Sequence, residues 1–224
     1  MLFNSQEFLL VFLPLTLILY FAFAGKETLR IWVLISASLF FYAYWDLRFL
    51  PLLIVSVMLN WLCSQLHASY KFRSILIAGV ALNLLIIGLF KYTNFIIGSV
   101  AATAGAVFAP WNIILPLGIS FFTFQQISYL VDLKRGAAPV YPFHKYLLYV
   151  TFFPQLIAGP IVRHDEIIGQ YSFDPMREGV YERLSKGFVL LFIGLFKKMI
   201  LADTVAKTAS FLFNDAATGN TLSV

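Results

Sequence analysis

The sequence predicts an all-α, polytopic membrane protein with about six transmembrane or re-entrant helices, followed by interfacial amphipathic helices. Three observations carry this. Of 224 residues, 60% are hydrophobic and 12% charged, whereas soluble domains hold about 45–50% apolar and about 25% charged residues. The apolar residues gather into successive runs close to the about 20 residues that cross about 30 Å of hydrocarbon. The basic residues stand at the ends of these runs, where lipid headgroups lie. The net charge of +5 therefore reads as membrane orientation. The expected partner is the lipid bilayer, and no nucleic acid is expected.

The first run, residues 7–23, has Asn4 and Ser5 ahead of it as N-cap candidates. Ala22-Phe23-Ala24-Gly25 imitates a signal-peptidase site, but no Lys or Arg precedes Lys26 and Glu7 stands where a basic leader would be. An uncleaved first span is expected. The second run, residues 29–45, ends in Phe40-Phe41-Tyr42-Ala43-Tyr44-Trp45, which reads as an aromatic belt at the headgroups. The third covers residues 49–66, the fourth 75–97 and the fifth 113–131. The sixth, 146–162, contains Pro154 and the Gly159-Pro160 pair, which interrupt helical hydrogen bonding.

Cytoplasmic loops carry the excess of Lys and Arg. The loops after runs one, three and five hold Lys26 and Arg30, then Lys71 and Arg73, then Lys134, Arg135 and Lys145. Those after runs two and four hold only Arg48. The N-terminus is therefore predicted outside, with the small-residue stretch 98–109 in an external connection. Six full crossings would place the basic tail (Arg163, Arg177, Arg183, Lys186, Lys197, Lys198) outside, against the rule. The sixth run is accordingly predicted to be broken or re-entrant, a state tolerated where the freed backbone is buried in protein.

Interfacial helices are expected over residues 163–200. Asp174-Pro175 has the form of a helix start, and Met176, Val180 and Leu184 recur every four residues opposite Arg177, Glu178, Glu182, Arg183 and Lys186. The ten residues between Lys186 and Lys197 are too few to span alone. The polar segment after residue 213 has no recognisable stop, so a longer parent protein is expected.

Polar residues within the runs are costly in lipid and are expected to face protein. Ser56, Asn60 and Ser64 share one face of run three, with His67 near the same line. Asn83, Lys91 and Asn94 fall within a quarter turn in run four, and Gln125, Ser128 and Asp132 form a stripe in run five. These stripes are expected to meet each other or a cavity. Lys91, Asn94, Gln125, Ser128, Asp132 and Arg163 are the candidates for a substrate pathway. Interhelical hydrogen bonding is the alternative for the Ser, Asn and Gln residues, and headgroup anchoring for Lys91 and Arg163.

Cys63 stands alone, so neither an intrachain disulfide nor a cysteine metal site can form, and no metal is expected. His67 and His144 fall at run ends, and His164 in a predicted interfacial loop. No Ser/His/Asp arrangement, H-E-x-x-H, P-loop or G-x-G-x-x-G occurs. No catalytic residue is assigned.

Four segments carry a family resemblance: residues 89–95 (LFKYTNF), 115–132 (LPLGISFFTFQQISYLVD), 152–163 (FFPQLIAGPIVR) and 194–198 (GLFKK). In this order they resemble signature segments of the membrane-bound O-acyltransferase family, in its alginate O-acetyltransferase-like branch, with residues 1–224 matching the N-terminal part of the domain. The resemblance implies a ring of helices around a funnel, in the bacterial inner membrane. It implies transfer of an acyl group, acetyl in this branch, from acetyl-CoA or another thioester to an exported polysaccharide. It also implies periplasmic partner proteins for polysaccharide acetylation, and no tightly bound cofactor. The family's catalytic histidine lies in a Trp- and Gly-containing segment that this chain lacks, so the isolated chain is expected to be inactive. The residues alone leave a transporter or flippase, or a non-catalytic membrane scaffold, as competing readings.

Overall fold

The computed structural model describes residues 2–105, 109–156, 159 and 162–217. Thr16–Asp174 form one compact unit, and Leu2–Leu15 with the chain from Pro175 onward form a second. All regular structure among the described residues is helical: α1 (Phe8–Ala22), α2 (Glu27–Trp45), α3 (Leu47–Tyr70), α4 (Arg73–Thr103), α5 (Ile119–Arg135), α6 (Phe143–Thr151), α7 (Phe153–Leu156), α8 (His164–Ile167), α9 (Val180–Phe196) and α10 (Asp203–Ala217).

Three of these, α2, α3 and α4, are long and apolar enough to cross a membrane, and α1 is a shorter apolar helix. The expected N-cap of α1 forms at Ser5, whose Oγ accepts the Phe8 N–H at 3.2 Å. The aromatic end of α2 divides. Phe40, Tyr44 and Trp45 are exposed, but Phe41 and Tyr42 are buried, and Tyr42 Oη donates to the Leu117 carbonyl at 3.1 Å.

Two boundaries differ from expectation. The fifth helix begins at Ile119 rather than residue 113, because Pro116 breaks the run and Gly118, at φ 72°, takes a left-handed conformation before the helix. A Cβ on Gly118 would meet the Leu156 carbonyl oxygen at 2.6 Å, so this position excludes a side chain on two counts. The fourth helix continues to Thr103, so the first part of stretch 98–109 is helical. Residues 106–108 lie outside the described residues.

The core of the larger unit is organised around α6. Tyr146, Leu148, Tyr149, Val150 and Thr151 are all fully buried, and Leu147 nearly so. A nine-residue helix is about 14 Å long, too short to cross, and it is enclosed on every side by α2, α3 and α5. The helix stops at Phe152, and Pro154 prevents its regular continuation. The backbone groups freed by the break are satisfied by side chains. The Phe153 N–H donates to Ser38 Oγ at 3.1 Å, and Gln155 Nε2 donates to the Tyr149 carbonyl at 2.7 Å. Of the 146–162 segment, residues 157, 158, 160 and 161, including Pro160, lie outside the described residues.

Helices α4 and α5 pack closely. A Cβ on Gly79 would lie 2.8 Å from Leu130 Cδ1 and 3.4 Å from Cys63 Sγ, so a small residue sets this approach.

In the second unit, the expected helix start at Asp174-Pro175 does not form. The chain turns through 175–179, and α9 begins at Val180. Arg183 explains the turn: its guanidinium donates to the carbonyls of Pro175, Arg177 and Glu178, gathering them away from helical geometry. From Val180 the chain is helical without interruption to Ala217 through a π-helical turn at Lys197–Ala202. Two lysines of this helix pair locally, Lys186 with Glu182 and Lys198 with Asp203, each at 2.6 Å. These exposed pairs contribute little stability.

Candidate functional site

The polar stripes of runs three to five meet as a buried ladder. Asn60 on α3 and Asn83 on α4 exchange amide hydrogen bonds at 3.2 and 2.6 Å. Each also donates one turn back along its own helix, Asn60 to the Ser56 carbonyl and Asn83 to the Gly79 carbonyl. Gln126 on α5 donates to Ser56 Oγ at 3.0 Å and accepts from Tyr146 Oη of α6 at 3.4 Å. Four helices are thereby joined by partnered polar side chains away from lipid. Ser64 is also fully buried and donates within its own helix, to the Trp61 carbonyl.

The ladder does not use the stripe residue of α5 that spacing singled out. Gln126 makes the contacts. Gln125 is buried, its backbone carbonyl faces Tyr149 Oη at 3.5 Å, and Ser128 is half-buried. In α4, Asn83 is buried, but Lys91 is exposed and Asn94 half-buried. A π-helical turn at Gly88–Tyr92, which includes Lys91, lies between Asn83 and Asn94. Lys91 is exposed, with Nζ 5.5 Å from the Tyr92 ring centre. Asn94 pins the loop before α5, donating to the Trp111 carbonyl at 2.7 Å and accepting from its N–H at 3.0 Å.

Asp132 and Arg163 do come together. Asp132 Oδ2 accepts from Arg163 Nη2 at 2.8 Å and lies 3.3 Å from His164 Nε2. His164 is buried, not in a solvated loop as the sequence suggested. Its Nδ1 is 3.0 Å from Tyr141 Oη, and its ring packs edge-on against Tyr129. With Nε2–H donating to Asp132, Nδ1 accepts from the Tyr141 hydroxyl. Both ring nitrogens are thus partnered within the protein. Asp132 lies just beyond the predicted span 113–131. Burial pushes its carboxyl up, but the hydrogen bond and charge of Arg163, with His164, outweigh this and hold it below its ordinary value of 3.8.

This cluster fixes where the chain returns after α6. Tyr149 Oη donates to the Val162 carbonyl at 3.3 Å, and Arg163 and His164 lock onto the C-terminal turn of α5. Close by in sequence, Ser172 Oγ accepts from Lys145 Nζ at 3.0 Å and donates to Glu27 Oε1 at 3.1 Å, with Lys145 and Glu27 paired at 2.6 Å. Lys145, in the first turn of α6, and Ser172 therefore lie at the same end of the unit. Arg30 reinforces this. It reads in the sequence as a topology marker, yet it is buried and donates to the carbonyls of Ala24, Tyr171 and Phe173. Nothing in its local sequence distinguishes it from a headgroup arginine, because two of its three acceptors lie far away along the chain. Among the described residues no group of three His, Cys, Asp or Glu side chains could hold a metal ion.

The chain is 36% identical to a peptidoglycan O-acetyltransferase of Helicobacter pylori over 96% of its length. It is 35% identical over 95% to a Pseudomonas aeruginosa protein named Probable alginate O-acetylase AlgI. These relatives agree with the resemblance to the membrane-bound O-acyltransferase family. A Bacillus subtilis teichoic acid D-alanyltransferase is 30% identical over 43% of the chain. The chain covers 47%, 42% and 25% of these relatives, so it spans less than half of their length. No family model matches the chain, and no solved structure matches it.

Proposed function

We propose that the protein containing this chain is a multi-pass inner-membrane O-acyltransferase that moves an acetyl group onto an exported polysaccharide. The similarity over nearly the whole chain to relatives named as acetylating peptidoglycan or alginate carries this reading. In the proposed step the acceptor hydroxyl oxygen attacks the carbonyl carbon of a thioester donor such as acetyl-CoA. The C–S bond breaks, the thiol leaves, and the hydroxyl proton passes to a general base. No residue of this chain is assigned as that base.

The part of this chain is to build the inner wall of the site and fix its sidedness. The 143–172 segment enters the membrane from the cytoplasmic end and returns to it, leaving Arg163 on the donor side. Support comes from the repaired helix break at Phe152 and from the joining of residues 145 and 172 through Glu27. Arg163 is half exposed but already paired with Asp132, so its contribution is positioning of the return rather than an open charge for a donor. Acetylation further requires periplasmic partner proteins that accept or guide the polysaccharide.

The test is deletion of the full-length gene in its own strain, with measurement of base-releasable acetate from peptidoglycan and exopolysaccharide. Acetate is expected to fall in one of these polymers and to recover with the full-length gene. Unchanged acetate in both would overturn the reading.

A further inference from the structure

The C-terminal ends of α3 and α5 and the start of α4 border an open depression of about 380 Å³, lined by His67, Lys71, Arg73, Lys134 and Arg135 among others. No acidic side chain lines it. None of the four Lys and Arg residues enters an ion pair among the described residues. The positive-inside pattern accounts for the sign of these charges but not for their convergence from two separate loops on one concavity.

The cations are not needed to cap the helices they adjoin. At the end of α5, the Gly136 N–H bonds the Leu133 carbonyl at 3.0 Å and the Ala137 N–H bonds the Asp132 carbonyl at 2.9 Å, a backbone closure that satisfies the last turn without Lys134 or Arg135. At the end of α3, the Lys71 N–H bonds the His67 carbonyl at 2.8 Å. Lys71 does this at φ 56°, the one non-glycine residue with positive φ among the described residues, a conformation that costs an L-residue about 1–2 kcal/mol. Phe72, which opens α4, provides no side-chain cap, so the first-turn N–H groups and the positive end of that helix's dipole add to the field of the side chains.

We propose that this depression binds a phosphate group. Two sources share that chemistry: the headgroup of an anionic phospholipid in the adjoining leaflet, and a soluble phosphate compound. The assignment does not depend on the acyl-transfer reading.

The test uses the full-length protein in nanodiscs of phosphatidylcholine, with two arms. One replaces a third of the lipid by phosphatidylglycerol, and the other adds inorganic pyrophosphate at constant ionic strength. The parent is expected to show a rise in thermal denaturation midpoint in at least one arm, and Arg73→Gln/Arg135→Gln to lose it. A control of equal charge change, Lys26→Gln/Lys91→Gln, should keep it. A response to phosphatidylglycerol alone identifies a lipid headgroup, and a response to pyrophosphate identifies a soluble ligand. No rise in either arm, or an equal rise in the parent and the Arg73→Gln/Arg135→Gln protein, overturns the proposal. If that double variant does not fold, Lys71→Gln/Lys134→Gln is read in the same way.

Discussion

Gly118 and Gly136 offer a matched pair in which backbone strain and steric exclusion separate. Both have nearly the same conformation, φ 72° and 73°, and both flank α5. An alanine at either position carries the left-handed penalty of about 1–2 kcal/mol. At Gly136 a Cβ meets nothing within 4 Å, whereas at Gly118 it lies 2.6 Å from the Leu156 carbonyl oxygen. The main chain there must move, at a cost typical of overpacking, about 1–3 kcal/mol. Gly136→Ala should therefore destabilise by about 1–2 kcal/mol and Gly118→Ala by about 2–5 kcal/mol. Unfolding of the full-length protein titrated with denaturing detergent reads both. Equal losses for the two variants would refute the close approach of α7 to the start of α5.

The interior gives three further expected outcomes. Asn60→Leu or Asn83→Leu alone strands a buried amide and should cost about 1–3 kcal/mol, while the double variant should be more stable than the sum of the two, as a double-mutant cycle in detergent would reveal; strict additivity would argue against the reciprocal amide pair. Asp132 has a depressed pKa in the folded protein, so its contribution is complete above its ordinary value of 3.8 and is lost as pH falls through the lower folded value. Asp132→Asn should thus lower stability at neutral pH and flatten the acid limb below about pH 4; an unchanged acid limb would count against the pairing with Arg163. Lys91→Gln, at an exposed side chain outside the ion pairs of the described residues, should stay within about 0.5 kcal/mol of the parent, and a large loss would return Lys91 to the interior.

Composition and run length made the helical membrane class legible, because the bilayer imposes its thickness on every crossing segment. Charge placement grouped Lys26 and Arg30, Lys71 and Arg73, and Lys134, Arg135 and Lys145 on one side, and the structure gathers Lys71, Arg73, Lys134 and Arg135 around one depression, with Lys145 reaching Glu27. Helical spacing put Asn60 and Asn83 on stripes expected to face protein, and the structure pairs them, but it chose Gln125 where Gln126 makes the contact, since neighbouring residues differ by only about 100° in direction. The burial of Arg30 and His164 was hidden for a different reason: each is satisfied by partners distant in sequence, and local pattern carries no record of them.

The central claim is that the chain between Arg135 and Ser172 dips into the membrane and comes back. Single cysteines at Arg135→Cys and Ser172→Cys, both exposed positions, can be introduced into the full-length protein with Cys63→Ser. Intact cells are then treated with a membrane-impermeant thiol reagent and compared with inverted membrane vesicles. The account predicts that both positions react in inverted vesicles and neither in intact cells. Labelling of Ser172→Cys from outside while Arg135→Cys reacts only from inside would mean that the segment crosses, and the return pinned by Asp132, Arg163 and His164 would be contradicted.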